Sequence, residues 1–192
     1  MKKSFPDFST TGLILAGGRS RRFGADKARH PVRDQPMIEH VYAALAAVAG
    51  EVYVSVRALE EGDGFPATAL PDRLPDAGPL GGLHAGLHAA RTPWLLVVAC
   101  DLPFITPEAL ERLLEARDKA VQAVVAENEQ GRLQPLCACY RVSILPVVEA
   151  RLQAGRRAMH GLLDQLETVG TVRLPDEVLR NINRPTDLDA GL

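Results

Sequence analysis

The chain has 192 residues, 46% of them hydrophobic and 24% charged, with a formal net charge of −2. That length supports one good core and is short for two, so a single domain over residues 1–192 is expected. The near-neutral balance gives no electrostatic case for nucleic acid or a membrane surface, and no stretch approaches the roughly 20 apolar residues of a membrane span.

Met1 to Thr10 is polar and lacks the apolar core of a signal peptide. Three cysteines do not make a disulfide framework. A cytoplasmic address is the expectation.

The first predicted element is Thr11 to Ala16, a short apolar run of the kind that makes a buried strand. It opens into Leu-Ala-Gly-Gly-Arg-Ser-Arg-Arg-Phe-Gly-Ala-Asp-Lys, from Leu15 to Lys27. Gly17, Gly18 and Gly24 let a backbone take positive φ and bring its N–H groups close to a ligand. Arg19, Arg21, Arg22 and Lys27 supply the positive charge that a triphosphate needs. The competing reading is a tight turn with a solvated basic face. The loop is neither a P-loop, which ends in Gly-Lys-Ser/Thr, nor the spaced glycine fingerprint of dinucleotide binders.

A helix is predicted over Met37 to Ala49, stopped at Gly50, then a strand over Glu51 to Val56. The Pro/Asp-rich stretch Asp63 to Gly78 reads as surface loops around a short strand. A helix over Leu80 to Ala90 follows, with Leu80, Leu83 and Leu87 as its stripe. Gly81, Gly82 and Gly86 within it cost about 1 kcal/mol each against alanine. Close approach of a ligand or of neighbouring backbone must offset that cost. A nucleobase against this wall is one reading, with Asp72 accepting from the N1–H and exocyclic amine of guanine; tight helix–sheet packing is the other. His84 and His88 have the spacing of a zinc pair, but no third ligand is evident, so they read as helix-face histidines without a metal.

The next strand is Trp94 to Ala99, followed by Cys100-Asp101-Leu102-Pro103-Phe104. Asp101 stands just past the strand's carboxyl end, where a Mg²⁺ ligand belongs; a plain turn aspartate is the alternative. Thr106 then Pro107 open a helix over Pro107 to Ala116, cap then first-turn proline. Strands are predicted over Ala120 to Ala126, Gln134 to Tyr140 and Glu167 to Arg173, and helices over Ile144 to Ala154, stopped at Gly155, and Arg157 to Leu166. Cys137 and Cys139 share a strand face and read, with Cys100, as buried thiols rather than a three-thiolate site. Arg156 and Arg157 open the last helix as a candidate anion contact, or as solvated surface. The chain then runs through Asn181-Ile182-Asn183-Arg184-Pro185-Thr186-Asp187-Leu188. Its alternating asparagines either share one face of an extended segment, toward a polar ring, or lead into a last helix.

This alternation implies an α/β fold in three layers, a mostly parallel central sheet with helices on both faces. Ligands of such folds bind beyond the carboxyl ends of the strands.

Four segments together, Leu15 to Lys27, Gly78 to Leu83, Cys100 to Phe104 and Asn181 to Leu188, resemble the molybdenum cofactor guanylyltransferases. Their marks are a Leu-Ala-Gly-Gly loop ending in Lys, a Gly-Pro-Leu-Gly-type segment, a Cys-Asp-x-Pro-Phe turn and a terminal Asn-x-Asn-x-Pro-x-Asp-Leu. The resemblance implies a nucleotide-diphospho-sugar-transferase-like fold. It also implies transfer of GMP from GTP to molybdopterin with release of pyrophosphate, and Mg²⁺ as cofactor. Transient contact with proteins that deliver molybdopterin or target molybdoenzymes is implied too, without naming which. Carried over residue by residue, Leu15, Ala16, Gly17 and Gly18 wrap the nucleotide, and Arg22 and Lys27 hold its phosphates. Asp72 reads the base, and Gly78 and Gly82 line its pocket. Asp101 binds Mg²⁺, and Asn181 and Asn183 face the pterin. Outside that carry-over, the anion contact read at Arg156 and Arg157 would be the pterin phosphate, with solvated surface the default reading.

The chain departs from the family at Phe23, where Met is usual, and at Ser55-Val56-Arg57, where some members place asparagine. A sister cytidylyltransferase favours Leu-Ala-Ala-Gly in the first loop, so Gly17 before Gly18 argues against it. A non-catalytic module that carries pterin or senses GTP need not keep both Lys27 and Asp101. The implied chemistry needs no protein nucleophile: a dianionic phosphate monoester attacks the α-phosphorus, and neutralising two anions is the main task.

Overall fold

In the computed structural model, residues 7–16, 27–183 and 187 are described. The elements run, in chain order, as β1 (Asp7–Leu15), β2 (Pro31–Val32), β3 (Gln35–Pro36), α1 (Met37–Ala46), β4 (Ala49–Val56), β5 (Thr68–Pro71) and α2 (Pro79–Ala89). They continue as β6 (Trp94–Ala99), α3 (Pro107–Glu115), β7 (Ala123–Glu127), β8 (Leu133–Arg141), α4 (Leu145–Gln153), α5 (Met159–Leu163) and β9 (Val169–Arg173).

Seven strands form one sheet in the order β5-β4-β1-β6-β8-β7-β9, and β2 with β3 makes a separate small hairpin. Every pairing in the large sheet is parallel except those of β8, which runs against both β6 and β7. Strand alternation divides the interior in two. Ile14, Leu96 and Val98 face one side, with Ile38, Val41 and Leu45 of α1 and Leu110 and Leu113 of α3. Leu13, Leu15, Leu95 and Val97 face the other, with Leu80, Leu83 and Leu87 of α2, Val148 of α4 and Leu162 of α5. The expected three-layer α/β fold is therefore present.

Local chemistry explains the best-matched elements. All six residues of β6 are buried, as a strand covered on both faces requires. Thr106 caps α3 by accepting from the Ala109 N–H at 3.3 Å, with Pro107 in the first turn. Gly155 follows α4 with φ +68°, the left-handed stop expected of it.

Some expectations fail. Gly50 does not stop a helix: α1 ends at Ala46, and Gly50 lies inside β4, whose pairing with β1 already starts at Ala49. Arg156 and Arg157 do not open a helix either, because α5 starts at Met159. The Arg157 guanidinium instead donates to the Asp76 carbonyl at 2.7 Å, tying that turn to the loop ahead of α2.

Candidate active site

The strand order reverses at β1, which has β4 on one side and β6 on the other. A crevice outside the carboxyl ends of the strands is the binding place in such sheets. Leu15 pairs with Ala99 and with Ser55, so the ends of β1, β6 and β4 lie level there. Two backbone bonds carry the sheet pattern past its end: the Ala16 N–H donates to the Ser55 carbonyl at 3.2 Å, and the Cys100 N–H to that of Leu15 at 3.1 Å. Leu15 is buried and Ala16 half-buried at the mouth of the following loop. The loop residues Gly17, Gly18 and Arg22, with Arg19, Arg21, Phe23 and Gly24, lie outside the described residues.

Lys27, Asp101 and Asn183 come together at this edge from three distant parts of the chain. The Lys27 ammonium donates to Asp101 Oδ2 at 2.8 Å and to Asn183 Oδ1 at 2.9 Å. Both charged side chains are mostly covered, 15% exposed for Lys27 and 22% for Asp101. The segment carrying Asn183 is anchored by its neighbour: Ile182 is fully buried against Val32 and Met37, and its N–H donates to the Asp101 carbonyl at 3.0 Å. Asn181 is half-buried and Asn183 exposed on either side of it. The backbone N–H of Asn183 donates to Asp187 Oδ2 at 2.7 Å.

Asp101 Oδ1 is buried and has no hydrogen-bond partner among the described residues. A carboxylate oxygen in that condition costs free energy unless something compensates it. A hard divalent cation is an apt partner, since such ions take carboxylate oxygen and leave remaining positions to water and phosphate. The donor set therefore fits a divalent metal at Asp101.

On the other side of β1, Asp72 follows β5 directly, and its N–H donates to the Val56 carbonyl at 2.7 Å. The Ser55 hydroxyl donates to Asp72 Oδ1 at 2.9 Å. Burial pushes the Asp72 carboxyl above its ordinary value, and the Ser55 hydrogen bond draws it part of the way back. Ser55, a departure from the family pattern, is thus the residue that orients Asp72.

The glycines of this segment divide into two kinds. Gly78, ahead of α2, has φ +62° and ψ −155°, a conformation open to glycine, and a side chain there would meet nothing within 4 Å. A Cβ on Gly82 would lie 2.5 Å from Ser55 Oγ and 2.6 Å from Leu15 Cδ2; one on Gly86 would lie 2.6 Å from Leu13 Cδ2. Helix–sheet packing accounts for these two glycines. The space around Gly78 is open, and the glycine near Asp72 is Gly81, where a Cβ would lie 3.8 Å from Asp72 Oδ2 and 2.6 Å from Ala77 Cβ.

Residues 12–169 match the family model of the MobA-like NTP transferase domain. A probable molybdenum cofactor guanylyltransferase of Pelotomaculum thermopropionicum is 36% identical over 188 residues, covering 93% of this chain and 89% of that one. The molybdenum cofactor guanylyltransferase of Desulfosudis oleivorans is 32% identical over 189 residues, covering 94% and 93%.

The chain belongs to the molybdenum cofactor guanylyltransferase family. The crystal structure of molybdopterin-guanine dinucleotide biosynthesis protein A from Archaeoglobus fulgidus superposes with a TM-score of 0.75 at 26% identity, covering 94% of this chain and 95% of that chain. As a member of this family the chain is an enzyme, a nucleotidyltransferase of nucleotide-diphospho-sugar-transferase-like fold.

For a guanylyltransferase with a second substrate, one further feature of this edge matters. A cavity of about 500 Å³ lies beside the Asp101 turn, lined by Arg33, Phe104, Thr106, Glu177 and Arg180 among others. The Arg180 guanidinium sits 4.3 Å from the centre of the Phe104 ring, and its Nε is buried without a partner among the described residues. Arg33 has φ +56°, rare for a residue with a side chain. Sequence reasoning passed over both arginines. The available signal was position, since Arg180 precedes Asn181 directly. Neither Arg156 nor Arg157 is among the residues that line it.

Proposed function

We propose that this enzyme transfers GMP from GTP to molybdopterin, releasing pyrophosphate and forming molybdopterin guanine dinucleotide. It acts as one nucleotidyltransferase domain over residues 1–192, in the cytoplasm. The observation that carries this reading is the meeting of Lys27, Asp101 and Asn183 at the switch point of the sheet. A lysine, a carboxylate with an uncompensated buried oxygen and a terminal asparagine segment meet there, which suits transfer between two phosphate-bearing substrates.

The chain's own residues divide the work. Leu15, Ala16, Gly17 and Gly18 wrap the nucleotide where β1 gives way to its loop. Asp72, held by Ser55, accepts from the N1–H and exocyclic amine of guanine, with Gly78 leaving space for the ring and Gly82 keeping α2 close enough to hold that wall. Lys27 has three N–H donors. Two are used by Asp101 and Asn183, and the third, with Arg22, steadies the phosphates of the leaving pyrophosphate. Mg²⁺ on Asp101, when bound, supplies charge neutralisation between attacking and leaving oxygens. Asn181 and Asn183 meet the pterin, with the adjoining cavity of Arg33, Phe104 and Arg180 as its seat. Such electrostatic and positional terms carry most of the rate in phosphoryl transfer.

The test is pyrophosphate release with molybdenum-loaded molybdopterin and Mg²⁺, comparing GTP, CTP and ATP. Turnover with GTP alone is the expected result. A preference for CTP would overturn the role given to Asp72, and tight GTP binding without pyrophosphate release would make the protein a binding module.

A further inference from the structure

Where α2 meets α4, three ligand-type atoms converge on one point. His84 Nε2 and His88 Nε2 are 3.1 Å apart, His88 Nε2 is 3.2 Å from Glu149 Oε1, and His84 Nε2 is 3.7 Å from the same oxygen. Among the described residues, this is the one group of three such side chains whose ligand atoms all lie within 4.8 Å of one another. Ligands on one face of a tetrahedral zinc ion, with bonds of 2.0–2.1 Å, stand roughly 3.3–3.4 Å from each other. The three observed separations straddle that edge length.

Protons alone do not satisfy this cluster. If His84 Nε2–H donates to His88 Nε2, the lone pair of His88 is used there and its nitrogen faces the Glu149 carboxylate with no proton between them. If His88 carries the proton on Nε2 instead and His84 does not, that single proton has two acceptors to serve, His84 Nε2 at 3.1 Å and Glu149 Oε1 at 3.2 Å. A cation at the centre accepts all three lone pairs at once.

We propose that His84, His88 and Glu149 form a site for a first-row divalent cation such as Zn²⁺, fastening α2 to α4, with its fourth position open to water. The two-imidazole, one-carboxylate set is of the type that zinc accepts. Glu149, 41% exposed, and His88, 31% exposed, leave the site accessible from solvent. His84 Nδ1, buried without a partner among the described residues, lowers the affinity, since loss of such an outer partner typically costs about 10–100-fold. A micromolar site is therefore expected, independent of nucleotide and pterin.

The experiment takes the full chain, stripped with a chelator, and titrates Zn²⁺ against a chromophoric competitor in excess Mg²⁺. One Zn²⁺ per chain and a rise in Tm are expected, with Co²⁺ giving the visible band of a tetrahedral N/O site. His88→Ala and Glu149→Gln should each weaken Zn²⁺ binding by at least about tenfold and abolish the rise in Tm. Circular dichroism of the metal-stripped variants checks that they fold, and using two exposed positions guards against one failing. Asp101→Asn should leave Zn²⁺ binding intact. No stoichiometric binding, equal binding in the two variants, or loss confined to Asp101→Asn would each overturn the site.

Discussion

Gly82→Ala separates a packing glycine from an ordinary helix glycine. In an uncrowded helix the change would stabilise by about 1 kcal/mol. Here the new methyl would stand 2.5 Å from Ser55 Oγ, 2.6 Å from Leu15 Cδ2 and 3.1 Å from Ser55 Cβ. The leucine terminus and the serine hydroxyl can turn aside, but Ser55 Cβ is fixed to the backbone of β4, flanked by β1 and β5. Overfilling such a contact costs about 1–3 kcal/mol, and turning the hydroxyl aside also loses the 2.9 Å bond to Asp72. With about 1 kcal/mol for that bond added and the helix gain subtracted, the net expectation is destabilisation by about 1–3 kcal/mol. In a chain of this size, Tm falls by about 2–4 °C for each kcal/mol. Urea unfolding followed by circular dichroism measures the loss, and the KM for GTP should rise in the same preparation as Asp72 is released. In a Ser55→Ala background the loss should shrink by about 1 kcal/mol, the part due to the hydroxyl. A Gly82→Ala protein more stable than the parent would refute the close approach of α2 to the sheet.

Three further outcomes follow, two from the site and one from the core. Lys27→Ala and Asp101→Asn should each keep the fold and lose most turnover, by about 10²-fold or more if the cluster acts electrostatically; wild-type-like kcat in either folded variant would sink the assignment. Asp72→Asn should raise Tm at neutral pH. Because the folded carboxyl titrates above its ordinary value, stability at this position is fully present below that value and lost as pH rises through the raised one. The gain over the parent should fade on acidification, while discrimination between GTP and ATP declines; a gain independent of pH would contradict the burial argument. Cys137 is fully buried, with its thiol pushed up to about 12, so it should resist thiol reagents at pH 8 until the chain unfolds. Labelling in the native state at the rate of an exposed thiol would show otherwise.

The sequence made some elements plain and others not, for physical reasons. Trp94 to Ala99 is buried throughout, so its apolar run had no rival periodicity. Thr106-Pro107 fixed the start of α3 through chemistry local to four residues. At Gly50, by contrast, strand pairing with β1 overrode a local stop signal. The hairpin of β2 and β3 escaped because each strand has two residues, one of them proline. The reversal of β8 was readable in principle. Its link to β7 is too short for a parallel crossover, and Asn128 and Arg132 close it as a turn around Gly131, φ +79°. In the site, the residue types of Lys27, Asp101 and Asn183 stood out by motif, but their meeting is a property of topology. Glu149 gave no sign at all, since 61 residues separate it from His88.

Lys27 and Asn183, bonded to each other, are 156 residues apart in the chain. A ribosome extends the polypeptide from its amino end, so Lys27 and every strand of the sheet, through Arg173, are made before the asparagine segment. Until Ile182 docks on the Asp101 carbonyl, Lys27 lacks one of its two partners. A polypeptide ending just after β9 would carry every strand of the sheet but neither the Asn183 contact to Lys27 nor the Ile182 bond to the Asp101 carbonyl.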